Sequence, residues 1–156
     1  MRIAMFQPDI AGNVGTVLRL GACLGVGVDL IEPMGFPWSD RALARAGMDY
    51  AAQASVVRHV DWEAFRTQVP RRLVLLTTRG AVPLPQARFE ADDTLLLGSE
   101  GSGVPEEVHA AADLAVFIPM RPAMRSLNVA VAGAMVLGEV LRQTASWPKA
   151  HAPEFR

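Results

Sequence analysis

Cysteine, histidine and lysine are all scarce in this sequence, and each scarcity removes a class of chemistry. Cys23 is the only cysteine, so no intramolecular disulfide can form. With three dispersed histidines beside it, none of the clustered Cys/His spacings that build a zinc site is present, and no metal is expected. No stretch of about 18 uncharged apolar residues occurs, and the first residues lack the basic-then-apolar layout of a secretion signal. A soluble, cytoplasmic protein is the expectation. The net charge of −1 supplies no global positive field for nucleic acid, so any RNA contact must be local. Lys149 is the sole lysine beside 14 arginines, a bias that a skewed genome explains as readily as phosphate recognition does. Familiar catalytic signatures are missing too: there is no G-x-x-x-x-G-K-[ST], no G-x-S-x-G and no H-E-x-x-H. His59, His109 and His151 stand apart from one another and read as surface or packing residues.

What the chain does have is apolar bulk. At 156 residues and 51% hydrophobic it can bury one ordinary core, and a single domain spanning 1–156 is expected. Ile3 to Phe6 reads as a strand ending at Pro8, with Asn13 as a plausible N-cap for a helix that runs to the glycines at 25 and 27. Val28 to Ile31 and Ser55 to Arg58 read as further strands. Between them Ser39 or Asp40 can cap a short helix through Leu43 and Ala46, and Asp61 can cap another. Leu73 to Thr77, Thr94 to Leu97 and Leu114 to Ile118 are short apolar runs bounded by Gly, Pro or charge, the pattern of buried parallel strands. A short helix begins near Pro105. The last element is a helix from about Leu127 to Gln143, with Val131, Met135, Leu137 and Val140 as its apolar face. An irregular tail begins at about Trp147. Alternating strands and helices imply an α/β fold, a parallel sheet flanked by helices with its ligand site at the carboxyl ends of the strands.

Three segments just after predicted strands carry more glycine and polar residues than loops of their length need. The first runs Gln7-Pro8-Asp9-Ile10-Ala11-Gly12-Asn13-Val14-Gly15, with Arg19 one to two helical turns beyond Asn13. Spacing alone favours a plain cap and a solvated arginine here. The second, Leu97 to Pro105, sets three glycines around Glu100, which lets backbone approach a ligand closely but reads equally as a flexible turn. The third, Ile118 to Asn128, places two prolines and two arginines before Ser126 and Asn128, which on their own are ordinary helix caps. Gly21 to Gly27 approaches a dinucleotide fingerprint in the wrong order: its glycines end a helix and precede a strand, so they read as a helix stop. Without an upstream phosphate loop, Glu32 makes only a weak ribose ligand.

Taken together, N-x-x-x-x-x-R, G-S-E-G-x-G-V-P and I-P-M-R-P-x-x-R-S-L-N-V-A-V-A strongly resemble the three motifs of SpoU-like members of the SPOUT methyltransferases, in the same order and at similar separations. Leu30 to Phe36, with Leu43 and Arg45 to Tyr50, looks more narrowly like the short tRNA (cytidine/uridine-34-2′-O)-methyltransferases of the TrmL type. The resemblance covers about Ile3 to Leu141. It departs at Gly101-Ser102, where many relatives carry Thr-Arg.

This resemblance implies a deep C-terminal trefoil knot, an exception to the avoidance of knots. It implies S-adenosyl-L-methionine as methyl donor, held near Thr78, Gly98, Ile118 and Ser126. Transfer would go to the ribose 2′-hydroxyl of the wobble nucleotide of certain tRNAs. Arg19 is nominated for proton removal, with Asn13, Glu100, Ser126 and Asn128 in support. Because arginine normally stays charged, stabilising the developing alkoxide is an equally good role for it. Arg121 and Arg125 are candidates for tRNA phosphate contacts. A homodimer is implied, its interface formed by the knot and the final helix, whose Val131, Met135 and Val140 suit that use. Two rivals are another tRNA position or rRNA as substrate, and a non-catalytic binder of S-adenosylmethionine or RNA. A mere binder could dispense with the whole polar set.

Overall fold

A computed structural model describes residues 1–39 and 55–149. In chain order its elements are β1 (Arg2–Phe6), α1 (Ala11–Leu24), β2 (Gly27–Ile31), β3 (Val56–His59), α2 (Trp62–Gln68), β4 (Leu73–Leu76), β5 (Val82–Pro83), a 3₁₀ turn (Leu84–Gln86), β6 (Thr94–Leu97), α3 (Glu106–Ala110), β7 (Leu114–Phe117) and α4 (Val129–Gln143). The strands form a parallel sheet in the order β3-β2-β1-β6-β4-β7-β5. The helix expected through Leu43 and Ala46, and the segment Arg45 to Tyr50, lie outside the described residues.

Side chains alternate across a strand, so each short apolar run feeds two cores. Ile3, Met5, Val74, Leu95 and Leu97 pack beneath α1 and α4 with Val14, Val17, Leu18, Leu137 and Val140. Ala4, Phe6, Leu73, Leu75 and Leu96 face α2 and α3 with Phe65 and Val108. Burying each such large side chain is worth about 1.5–3 kcal/mol, which is why runs of only four residues hold as strands. Among the described residues the buried carboxylates of Asp29 and Asp93 are each met by an arginine, Arg2 and Arg72, as their desolvation requires. Asp29 and His59 are both buried, His59 Nε2 lies 2.8 Å from Asp29 Oδ1, and Arg2 donates to the same carboxylate. His59 also meets the ring of Phe65 edge-on, so it is a packing residue.

The expected stops and caps are largely in place. Gly25 ends α1 at φ 68°, in the left-handed region that glycine enters without steric cost. Asp61 caps α2 by accepting from Ala64 N at 2.7 Å. The short helix expected near Pro105 is α3, which begins at Glu106 with Pro105 at its N-cap position. Glu32 is engaged by Arg58, whose Nε donates to it at 2.8 Å.

Three expectations need correction. Asn13 is not the N-cap of α1: the helix starts at Ala11, behind Ile10, and the Asn13 side chain turns to long-range partners instead. The apolar face expected on α4 is two faces. Leu137 and Val140 are fully buried against the sheet, whereas Val131 and Met135 are about half exposed, so Val140 cannot belong to an exposed interface. Periodicity misleads here because α4 is apolar nearly all round. Finally, a two-residue strand, β5, joins the sheet where none was expected; its Pro83 lacks the N–H of a ladder residue and is tolerated because β5 is the edge strand beside β7.

Candidate functional site

Four strands that are neighbours in the sheet end at one level: Met5 pairs with Leu97, Leu97 with Leu76, and Leu76 with Val116. The loops that follow β1, β4, β6 and β7 are thereby delivered to one edge, the carboxyl end where α/β proteins build sites. They enclose a cleft of about 740 Å³, within the range of small-molecule sites. Leu76, Leu97, Val116 and Ile118 give it an apolar wall; Thr78, Glu100, Ser126 and Asn128 line it with polar groups.

A chain of hydrogen bonds joins three of these loops. Glu100 accepts from Asn13 Nδ2 at 2.8 Å through Oε1, and from the backbone N–H of Asp9 at 2.7 Å through Oε2. Asn13 Oδ1 accepts from Asn128 Nδ2 at 2.9 Å, and Asn128 Oδ1 caps α4 by accepting from Ala130 N at 2.9 Å and Val131 N at 3.2 Å. The direction of every bond is forced. A carboxylate can only accept, so the Asn13 NH₂ must face it; the Asn13 oxygen then faces the Asn128 NH₂, leaving the Asn128 oxygen for the orphan amides of the helix. Asn128 is thus both an ordinary cap and the third link of the site.

The second loop is a tight hairpin. Ser99 and Gly103 exchange backbone hydrogen bonds of 2.9 Å in both directions, and Gly103 sits at φ 69°. A Cβ on Gly98 would come within 2.9 Å of the Gly103 backbone, so that glycine is required by the hairpin closing on itself. In the third loop Arg121 to Met124 form a turn closed by Met124 N donating to Arg121 O at 3.2 Å, with Ala123 at φ 72°. A non-glycine residue in that conformation marks strain of order 1–2 kcal/mol beside the cleft.

Of the sequence-derived residues, Asn13, Thr78, Gly98, Glu100, Ile118, Arg121, Ser126 and Asn128 all line this cleft. Arg19 is exposed on α1 and Arg125 is exposed in the third loop; neither lines it. Sequence reasoning missed Asp9 and Ser99 as site residues. Asp9 Oδ2 accepts from Ser99 Oγ at 2.6 Å and from Gly101 N at 3.0 Å, and these two bonds hold its carboxyl below the ordinary range. The only available signal was a carboxylate standing in the first loop; its partners are some 90 positions away. Among the described residues no group of His, Cys, Asp and Glu could hold a metal ion, and no helix is long and apolar enough to cross a membrane.

Comparison with known proteins places this geometry. A protein of Beijerinckia indica named tRNA (cytidine(34)-2′-O)-methyltransferase is 57% identical over 150 residues, covering 94% of each chain. A solved structure described as giving structural insights into the 2-OH methylation of C/U34 on tRNA superposes with a TM-score of 0.86 at 40% identity, covering 91% of this chain and 94% of the other. An AdoMet-bound rRNA methyltransferase from Sinorhizobium meliloti matches with a TM-score of 0.80 at 26% identity, over 90% of this chain and 55% of that one. Residues 1–138, including all four loops of the cleft, match the model of the SpoU rRNA Methylase family, and the chain belongs to that family.

Proposed function

We propose that this protein transfers a methyl group from S-adenosyl-L-methionine to the ribose 2′-hydroxyl of the wobble nucleotide, cytidine or uridine 34, of certain tRNAs. The observation that carries this reading is the hydrogen-bonded chain Glu100–Asn13–Asn128, which gathers the three motif loops around one cleft. The cleft suits the methyl donor: its apolar wall matches an adenosyl group, and the polar groups around it match the ribose and amino-acid ends. Thr78, Gly98, Ile118 and Ser126 would hold the donor, which supplies an electrophilic methyl group.

The residues of the chain then have divided tasks. Asn13, Glu100 and Asn128 satisfy one another and fix loop positions, so they orient rather than exchange protons. Holding two reactants in line can contribute about 7–11 kcal/mol of a barrier. Arg19 serves the 2′-oxygen, as base or as the cation that stabilises the alkoxide. Because it lies outside the cleft lining of its own subunit, it meets the substrate from the RNA side or across a homodimer. Arg121, at the cleft, and Arg125, exposed nearby, contact tRNA phosphates. The chain acts as one domain, its C-terminal part knotted as the family resemblance implies, and in the cytoplasm where tRNA is modified.

Expression of the chain in cells lacking wobble 2′-O-methylation tests the reading: the modification returns with the wild-type protein and not with Arg19→Ala produced at equal, folded levels. Methylation appearing at another tRNA position or in rRNA would move the substrate. Restoration by Arg19→Ala would remove that residue from the chemistry.

A further inference from the structure

We infer that Asp9 is a positioning residue for the methyl donor, its carboxylate clamping the glycine-rich loop at Ser99 and Gly101 into the shape that receives it. The inference rests on the cleft being the S-adenosylmethionine site. The clamp is built from two crossed carboxylates. Asp9 reaches from the first loop into the second, where its Oδ2 takes both Ser99 Oγ at 2.6 Å and Gly101 N at 3.0 Å. Glu100 reaches back, accepting from Asp9 N at 2.7 Å. Three bonds therefore bind one residue of the β1 loop to three consecutive residues of the β6 loop.

Asp9 is exposed to solvent, and two glycines leave space for it beside the loop. On one side a Cβ at Gly35 would fall 2.9 Å from Asp9 Cα and 3.1 Å from its Oδ1; on the other, a Cβ at Gly101 would fall 3.3 Å from Oδ2. Gly35 N also donates to Pro8 O at 2.9 Å, fixing the turn behind Asp9. The chain enters through Gln7 at φ 44°, a left-handed conformation that the surrounding contacts must hold in place.

The effect on the cleft follows from where the loop's polar groups go. Ser99 N and O are used by Gly103, while Asp9 takes the Ser99 hydroxyl and the Gly101 amide. Gly98, Ser99, Glu100 and Gly103 line the cleft, and Gly101, whose amide faces Asp9, does not. Asp9 itself stays outside the lining, so it acts through the loop and not by contact with the donor. A loop of three glycines has many alternative shapes, and hydrogen bonds to an ionised acceptor are strong enough to select one. The two bonds also keep Asp9 acidic, so the clamp stays charged at any pH near neutrality.

Both bonds end on one oxygen, which makes the test sharp. Asp9→Asn can present its amide oxygen in place of Oδ2 and keep the geometry without the charge; Asp9→Ala removes the acceptor altogether. Kd for S-adenosylhomocysteine by calorimetry, and KM for S-adenosylmethionine and tRNA separately, are measured for wild type, Asp9→Asn, Asp9→Ala, Ser99→Ala and the Asp9→Ala/Ser99→Ala double variant. Asp9→Ala is expected to weaken the cofactor constants about tenfold, with KM for tRNA within about twofold, and Asp9→Asn to recover most of the loss. Ser99→Ala is expected to cost about threefold alone and nothing further once Asp9 is gone, because both report one contact. Should Asp9→Ala be too unstable to measure, Ser99→Ala and Asp9→Asn carry the same test.

Unchanged cofactor constants in folded Asp9→Ala, equal losses for cofactor and tRNA, or fully additive effects in the double variant would overturn the inference while the wild type still bound the cofactor. A wild type that bound no S-adenosylhomocysteine would instead remove the cofactor reading on which it stands.

Discussion

Asn13 is bonded through both ends of its amide, to Glu100 at 2.8 Å and to Asn128 at 2.9 Å, and neither partner can exchange donor for acceptor without stranding another group. Replacing that NH₂ by oxygen in Asn13→Asp sets two carboxylates face to face. Methyl transfer is expected to fall about 100-fold, the scale of an ångström-level misplacement, with the protein still folded; single-turnover kinetics would measure it. The residue type was legible in the sequence and its role was not, because a helix-cap reading uses neighbours whereas its partners lie 87 and 115 positions away. Glu139 behaves more simply. Arg142 and Gln143 donate to it and hold its pKa at about 2, against an ordinary 4.5. Its ionised form is thus favoured by folding, a contribution complete above pH 4.5 and lost as pH falls through about 2. Wild type should therefore melt above Glu139→Gln near neutrality, with the gap closing in acid.

Strands announced themselves through short apolar runs, and Thr94–Leu97 has the expected bounds. What a run of that kind cannot state is its place in the sheet. β6 sits between β1 and β4, and β7 between β4 and β5, an order set by tertiary packing. Helix faces were half legible: Leu137 and Val140 point inward as periodicity suggests, while Val131 and Met135 complete a second, exposed apolar face. The glycine-rich loop was legible as a place for close approach, yet the approach at Gly98 is the hairpin meeting its own Gly103. Gly98→Ala puts a methyl group 2.9 Å from that backbone, so the hairpin must shift. Cofactor affinity is expected to drop at least about tenfold while thermal stability falls by no more than the 1–3 kcal/mol usual for overpacking. Calorimetry paired with a melting curve separates the two.

At the scale of the molecule, a net charge of −1 has to be reconciled with an RNA substrate. Arg121 and Arg125 are grouped on one loop at or beside the cleft, so the positive charge is local. A homodimer would present two such loops, and Val131 and Met135 offer it an exposed apolar surface on α4. Light scattering is expected to give twice the 16.8 kDa chain mass, shifting toward the monomer in Met135→Asp; a monomeric wild type would remove that assembly from the account. The most direct measurement is incubation of purified protein with labelled S-adenosylmethionine and tRNA lacking wobble methylation, followed by mass-spectrometric mapping of the modified nucleotide. The account predicts a 2′-O-methyl group on cytidine or uridine 34, absent with Arg19→Ala. A methyl group on a base, or on a ribose elsewhere with none at position 34, would contradict it.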